Sequence, residues 1–454
     1  MKTKLTGKEL IAVASMLFGM FFGAGNLIFP VRMGQLAAGN SLQAAAGFIL
    51  TGVGLPLMGV AAMGISGSEG LRDMAERVGK RYAVFLTCLL YMTIGPFFAI
   101  PRCATTAFAV GIEPMVSGGN GRILLFAFSA AFFAAVLFFS LRPSGILTWI
   151  GKIINPVFLF FLAVLLAVSF VFPMGKITAG IPGETYSEGA FFSGFLEGYN
   201  TMDALASLAF GIIVINVIRE LGIREPEATA ANTVRAGALS CAAMAVIYLM
   251  ITLMGAFSRG IMPVSENGGA ALSEIAKHYF GNAGQLFLAA TVLLACLKTA
   301  IGLVTSCART FEEMFPVQSY RKWTVKFCVF PFLLANAGLN AIIEWSVPVL
   351  MFIYPLAITL ILLSLFGRYF NYDRRVYVSV TVMTLGAAVF DFVGALPAGV
   401  KELPPIEALT GAASAVLPLY DIGLGWAVPA ITGLIVGLVI KKLGDFLKTG
   451  SKKR

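Results

Sequence analysis

Residues 15–30 read SMLFGMFFGAGNLIFP, from Ser15 to Pro30. The run is apolar enough to lie in a bilayer, yet it holds Gly19, Gly23 and Gly25, followed by Asn26 and Pro30. Glycine destabilises a helix interior by roughly 0.5–1 kcal/mol, and in lipid each unpaired backbone group costs several kcal/mol more. At membrane depth such an interruption persists only where the freed N–H and C=O groups line a cavity and hold something polar. A second segment, SLAFGIIVIN from Ser207 to Asn216, repeats the combination. Two interrupted spans, five spans apart, point to a secondary transporter with its site near the bilayer midplane.

Composition sets the frame around these two segments. The chain has 454 residues, of which 58% are apolar and only 12% charged. With a mean hydropathy of +0.87 it is a membrane protein. Apolar runs near the ~20 residues that cross a bilayer recur about twelve times. They fall near 9–31, 41–66, 82–110, 121–141, 144–172, 190–218, 229–257, 284–308, 323–339, 341–366, 375–397 and 421–440. No cleavable leader is expected, because the run after Lys2, Lys4 and Lys8 is too long for a signal peptide. The six cysteines lie in or beside apolar segments at spacings that suit neither disulfides nor zinc, and are expected to be free thiols.

The net charge of +10 is distributed topologically. Of the 33 basic residues 23, among them Lys2, Arg72, Arg77, Lys80, Arg219, Arg321, Arg374 and Lys441, fall in alternate connections and at the termini. Arg32, Arg122, Lys176, Arg259, Lys277 and Lys401 make up a sparser opposite set. The positive-inside rule then places both termini in the cytoplasm. The connections are expected to be short apart from residues 67–81 and 258–283, the latter with an amphipathic stretch. His278, the only histidine, falls in that outer stretch.

Within the first segment, unwinding frees the N–H groups of Gly23, Ala24 and Gly25 at the positive end of the following half-helix, a carboxylate site made of backbone. The carbonyls of Gly19 and Phe22 become oxygen ligands for a small cation. The competing reading is a GxxxG packing seam at Gly19 and Gly23, against which Asn26 and Pro30 argue. In the sixth span Asp203 precedes the expected interruption over Ser207–Gly211. An acid inside a span reads as a cation partner or proton carrier, or else as a cap on the next half-helix. Phe210 is a candidate wall for an apolar pocket. In the eighth span Ala295, Thr299 and Gly302 share one face, and Lys298 beside them must pair, lose its proton or snorkel. Arg102, after Pro101 in the third span, is expected to snorkel from a helix end. Gly95–Pro96, Asn155–Pro156, Pro348 and Pro355 read as kinks. No phosphate-cradling loop, metal-ligand cluster or nucleophile set is present in the sequence, so an enzyme and direct ATP drive are not expected.

Four motifs in order, GMFFGAGNLIFP, IGPFFAIPRCAT, GYNTMDALASLAFGIIVIN and LACLKTAIGL, resemble the bacterial branched-chain amino acid:cation symporter family, the system II carriers for leucine, isoleucine and valine. The likeness runs over essentially the whole chain. It implies an all-α LeuT-type fold with discontinuous helices 1 and 6. Two inverted five-span repeats (about 9–172 and 190–366) are followed by two further helices (about 375–440). It also implies uptake coupled to sodium, or to protons in some relatives, in the cell's inner membrane, with lipids as neighbours and no nucleic acid or ATP as partner. By motif, Gly23, Ala24, Gly25 and Asn26 would bind the carboxylate, and Ser207, Ala209 and Phe210 the amino group and side chain. Gly19, Phe22, Ala295 and Thr299 would surround sodium, with Asp203 and Lys298 in coupling. Lys298 departs from the pattern, standing where the wider fold carries a hydroxyl; an ammonium there would substitute for sodium or make coupling depend on protons. The rivals are a same-fold carrier of an aromatic amino acid or nucleobase, and a channel or sensor.

Overall fold

The computed structural model of the chain describes residues 2–23, 25–115, 121–142 and 146–451, with side chains described outside 115, 146–158 and 448–451. Ala24 and the Asn155–Pro156 side chains lie outside the described residues. Among the described residues the fold is helical throughout, without a strand.

A capping box starts α1 (Gly7–Phe21): Thr6 Oγ1 accepts the Glu9 N–H while the Thr6 N–H donates to the Glu9 carboxylate. Phe22 ends it with extended backbone (φ −74°, ψ 97°), and α2 (Gly25–Ala37) begins beyond Gly23 and Ala24. The first span is therefore broken where its glycines cluster. A π-helical turn over Leu50–Gly54 joins α3 (Ser41–Ile49) to α4 (Leu55–Ser66). The connection expected at 67–81 contains α5 (Leu71–Glu76). Next come α6 (Lys80–Met92) and α7 (Ala99–Gly111), kinked at Gly95 (φ −99°, ψ −122°) just before Pro96, as its Gly-Pro pair implies. They are followed by α8 (Gly121–Ser140) and α9 (Ile146–Val171).

The sixth span corrects the sequence reading. Short α10 (Glu184–Ser187) precedes α11 (Ala190–Glu197), which runs through a turn at Gly198–Thr201 to Met202; α12 (Asp203–Glu220) then leaves at 44°. Met202 adopts φ 61°, ψ 13°, a left-handed conformation that costs a non-glycine residue roughly 1–2 kcal/mol. The break lies there, and Ser207–Gly211 is continuous helix. Its small residues serve packing instead. A Cβ on Gly59 of α4 would collide with Ser207 Oγ, and one on Gly211 would meet Met63 Sδ at 3.0 Å.

The remaining helices are α13 (Pro226–Ser258), α14 (Gly268–Met314), α15 (Tyr320–Ala335), α16 (Leu339–Leu365) and α17 (Arg374–Gly394), then α18 (Ala398–Lys401), α19 (Pro404–Val416) and α20 (Ala427–Ser451). Left-handed Gly281 (φ 61°) divides α14 into a first segment, where the amphipathic stretch and exposed His278 lie, and the longer apolar segment expected as the eighth span. The connections through α10 (172–189) and through α18 and α19 are long as well, where the sequence reading allowed two; Pro404 and Pro405 start a surface helix in the latter. Eight helical stretches among the described residues are long and apolar enough to cross a membrane, or nine with the bent pair α11–α12 as one.

Glycines hold the broken spans against their neighbours. A Cβ on Gly34 of α2 would strike the Thr252 carbonyl of α13, and one on Gly255 would strike that of Val31. Gly47 of α3 and Gly194 of α11 have the same relation to the Phe191 and Ala44 carbonyls. Such backbone contact lets dispersion do what the hydrophobic effect cannot do in lipid. At one end of the bundle Lys2 donates to the Leu221 carbonyl at 3.2 Å, Arg77 to Tyr377 at 3.1 Å and Arg374 to the Val78 carbonyl at 3.1 Å. The basic connections thus share that end with the N-terminus.

Candidate functional site

The two breaks face each other and are tied by side chains. Asn26, 2% exposed in the first turn of α2, accepts the Gly23 N–H on Oδ1 at 2.9 Å. Its Nδ2 donates to Asp203 Oδ2 at 2.6 Å and to the Tyr248 hydroxyl of α13. Tyr248 in turn donates to the same Asp203 oxygen at 2.8 Å. Asp203, 2% exposed, is the first residue of α12, where the helix dipole favours a carboxylate. Its own N–H reaches Thr201 Oγ1 at 3.3 Å.

Arg102 completes the constellation and departs from its expected snorkelling. It is 4% exposed and donates through Nη1 to the Asn200 carbonyl at 2.7 Å. Its guanidinium lies 4.9 Å from the centre of the Phe29 ring, and a Cβ on Gly25 would come within 2.9 Å of Nη2. The kink at Gly95 redirects α7, and the end of the α11 half-helix leaves a carbonyl that a cation can satisfy. Gly25 is thus the place where backbone and guanidinium meet.

Gly23, Gly25, Asn26, Arg102, Asp203 and Phe210 line one small cavity of about 50 Å³. Ligand pockets span roughly 300–1,000 Å³, so the cavity as it stands is smaller than an ordinary ligand pocket. Ser207 and Ala209 do not line it: Ser207 back-bonds to the Ala204 carbonyl at 2.6 Å and faces α4, and the Ala209 carbonyl accepts from Tyr91. Ala24 lies outside the described residues.

Next to it, Gly19, Phe22, Ala295, Thr299 and Lys298 border a cavity of about 10 Å³. That is room for about one water-sized sphere. All four residues expected around an ion are therefore together, with Lys298 among them. Lys298 Nζ donates to the Gly19 carbonyl at 3.3 Å, and Thr299 Oγ1 back-bonds to the Ala295 carbonyl at 3.0 Å. Gly23 and Thr299 border both cavities. Sequence reasoning missed Tyr248, a lone tyrosine in an apolar helix that no local pattern singles out.

The profile described as branched-chain amino acid transport protein matches residues 6–444. The chain is 49% identical over 443 residues to the branched-chain amino acid permease BrnQ of Lactobacillus delbrueckii subsp. lactis, covering 97% of this chain and 98% of that protein. It is 38% identical to the branched-chain amino acid transport system 2 carrier protein of Pseudomonas aeruginosa, over 97% of this chain and 98% of that one. Among solved structures, it is similar to Mhp1, a nucleobase-cation-symport-1 family transporter in a closed conformation (TM-score 0.58, 17% identity, 94% and 91% of the two chains). It is also similar to MhsT in complex with L-phenylalanine (TM-score 0.54, 15% identity, 96% and 98%). At these identities the structural likeness carries the fold, which is of the LeuT type.

Proposed function

This chain belongs to the branched-chain amino acid transport protein family, whose members are membrane transporters and not enzymes, and we propose that it imports leucine, isoleucine or valine by alternating access, driven by a cation gradient. One observation carries the mechanism: the breaks of the first and sixth spans meet at a buried Asn26–Asp203 bond, with Arg102 beside Gly25. In this reading the substrate carboxylate sits at the N-terminus of α2 against Arg102. The α-ammonium turns to Asp203, and the aliphatic side chain lies along Phe210 and its apolar neighbours.

Coupling is assigned to the small cavity beside Lys298. A sodium ion there would stand next to a lysine ammonium, and like charges a few ångströms apart repel by about 1 kcal/mol even in water and by more away from it. Sodium and a charged Lys298 therefore disfavour each other there, and this reading takes the coupling ion as either a proton carried by Lys298 or sodium entering as Lys298 withdraws. The reading also includes about twelve spans, arranged as repeats over about 9–172 and 190–366 with further helices at about 375–440. It places the chain in the cell's inner membrane, with the basic end of the bundle and both termini in the cytoplasm.

Uptake of labelled leucine into proteoliposomes, with sodium and pH gradients imposed separately, tests this. Uptake driven by one of the gradients, and competed by isoleucine and valine but not by phenylalanine or uracil, is expected. Uptake that survives with neither gradient, or that phenylalanine or uracil competes equally, would overturn the reading.

A further inference from the structure

The turn at Gly198–Thr201 holds the arginine of the site. The Asn200 carbonyl accepts from Arg102 Nη1 at 2.7 Å, and Asn200 is itself held by its side chain, whose Nδ2 donates to Glu197 Oε2 at 3.2 Å. Left-handed Met202 ends the helical bonding just beyond, so the Asn200 carbonyl is turned out to the guanidinium and the side-chain bond fixes the residue that carries it. The π-helical stretch between α3 and α4 supports the same turn from another side. Thr51 Oγ1 donates to the Phe195 carbonyl at 2.7 Å, and a Cβ on Gly198 would strike that hydroxyl.

Glu197 is an acid in the sixth span that the proposed transport cycle leaves without a role. A carboxylate inside a span is costly unless it is paired or bonded. The cations within electrostatic reach of it are Arg32 of α2 and Arg102 of α7. Arg102 and Asp203 line the same cavity of about 50 Å³, yet no ion pair joins them: Arg102 is bonded to the Asn200 carbonyl, and Asp203 to Asn26 and Tyr248. Opposite charges this close, away from water, attract strongly, so a guanidinium released from Asn200 would turn to Asp203. That pair would occupy both groups needed by a zwitterion. We propose that Glu197 is a positioning residue: through Asn200 it keeps Arg102 on the turn of the sixth span and away from Asp203, so that both charges stay available to the substrate. The inference rests on the transport reading, which gives the substrate carboxylate to Arg102 and its ammonium to Asp203.

The test uses the full chain in proteoliposomes, with labelled leucine uptake and its inhibition by leucinol, which binds through its ammonium alone. Glu197→Ala should raise both the KM for leucine and the inhibition constant of leucinol roughly tenfold, with kcat little changed. The decisive readout is leucinol in the Arg102→Gln background, where no guanidinium can turn inward. Adding Glu197→Ala there should leave leucinol inhibition unchanged, whereas a merely structural role would weaken it in both backgrounds. Glu197→Gln, which keeps an acceptor for the Asn200 amide, should recover most of the lost affinity. Asn200→Ala removes the other half of the bond; it should reproduce the loss, and it carries the test if Glu197→Ala does not fold. Parental affinities in Glu197→Ala or Asn200→Ala, a glutamine variant as impaired as the alanine one, or leucinol inhibition weakened equally in the Arg102→Gln background would overturn the proposal. A parent chain that takes up no leucine would fail the transport reading itself; a parent that does, with Glu197→Ala unaffected, fails the positioning role alone.

Discussion

Replacing Asn26 with alanine cuts the joint between the two broken spans. It removes the cap on the Gly23 N–H, the donor to Asp203 Oδ2 and the bond to Tyr248. A lost cap of this kind costs ~1 kcal/mol. A bond to a charged acceptor is worth about 1.5–3 kcal/mol, although Tyr248 still donates to Asp203 in the variant. A net loss of about 3 kcal/mol falls on the closed arrangement, equivalent to roughly 100-fold in kcat/KM for leucine if transport passes through that form. Tyr248→Phe removes one donor and should cost about tenfold. Because both side chains serve the same carboxylate oxygen, the double variant should fall short of the product of the two. The assay is labelled leucine uptake by proteoliposomes, normalised to folded protein, with thermal unfolding in parallel. Uptake by Asn26→Ala within twofold of the parent and an unchanged Tm, or strictly multiplicative effects, would refute the reasoning.

Gly25→Leu should abolish uptake while the protein still inserts, because a side chain there meets Arg102 and Phe29; parental transport by that variant would remove the carboxylate site from Gly25. Arg102→Gln should raise KM for leucine by at least tenfold, and leucinol, which lacks the carboxylate, should be far less affected in a competition assay. Lys298→Thr should strengthen dependence on sodium relative to protons when the two gradients are imposed separately; an unchanged ion profile would place coupling elsewhere. Tyr354→Phe should slow uptake severalfold by favouring the closed form, read as a lower kcat at unchanged expression.

The first break was legible because its causes are local: three glycines and an asparagine within eight residues, in a run otherwise fit for lipid. The second was misplaced for a physical reason. Gly211 draws the eye, but its lack of a side chain answers to Met63 of another helix, while the bend occurs at Met202, a residue type with no bias toward left-handed backbone. Lys298 could be singled out since a lone ammonium in an apolar run is unusual whatever the fold; Gly19, Phe22, Ala295 and Thr299 were read in their own segments, and their grouping into one ion site came from the family resemblance. Arg102 was visible as a charge yet its role was not. Whether a buried guanidinium snorkels or caps a carbonyl depends on which helix end comes to meet it, and the Asn200 carbonyl arrives from 98 residues away.

One aromatic pair close to the site carries opposing contributions. Tyr199 stacks on Tyr354 of α16 with ring centres 3.9 Å apart and planes at 14°. An aromatic pair of this kind is worth about 0.5–1.5 kcal/mol beyond the area it buries. Both hydroxyls, however, are buried without a hydrogen-bond partner, and each such group costs about 1–3 kcal/mol that water would restore on separation. Two such groups together cost about 2–6 kcal/mol and outweigh the stacking, so admitting water to the pair favours its separation. The central cavity, too small here for a leucine, gains room only when parts of its wall move. A substrate whose ammonium and carboxylate bind the open wall and whose side chain then fills the space shifts that balance by its differential affinity alone. Removing the Tyr354 hydroxyl takes away one of the two costs of closure and leaves the stack, so the variant should dwell closed and turn over more slowly.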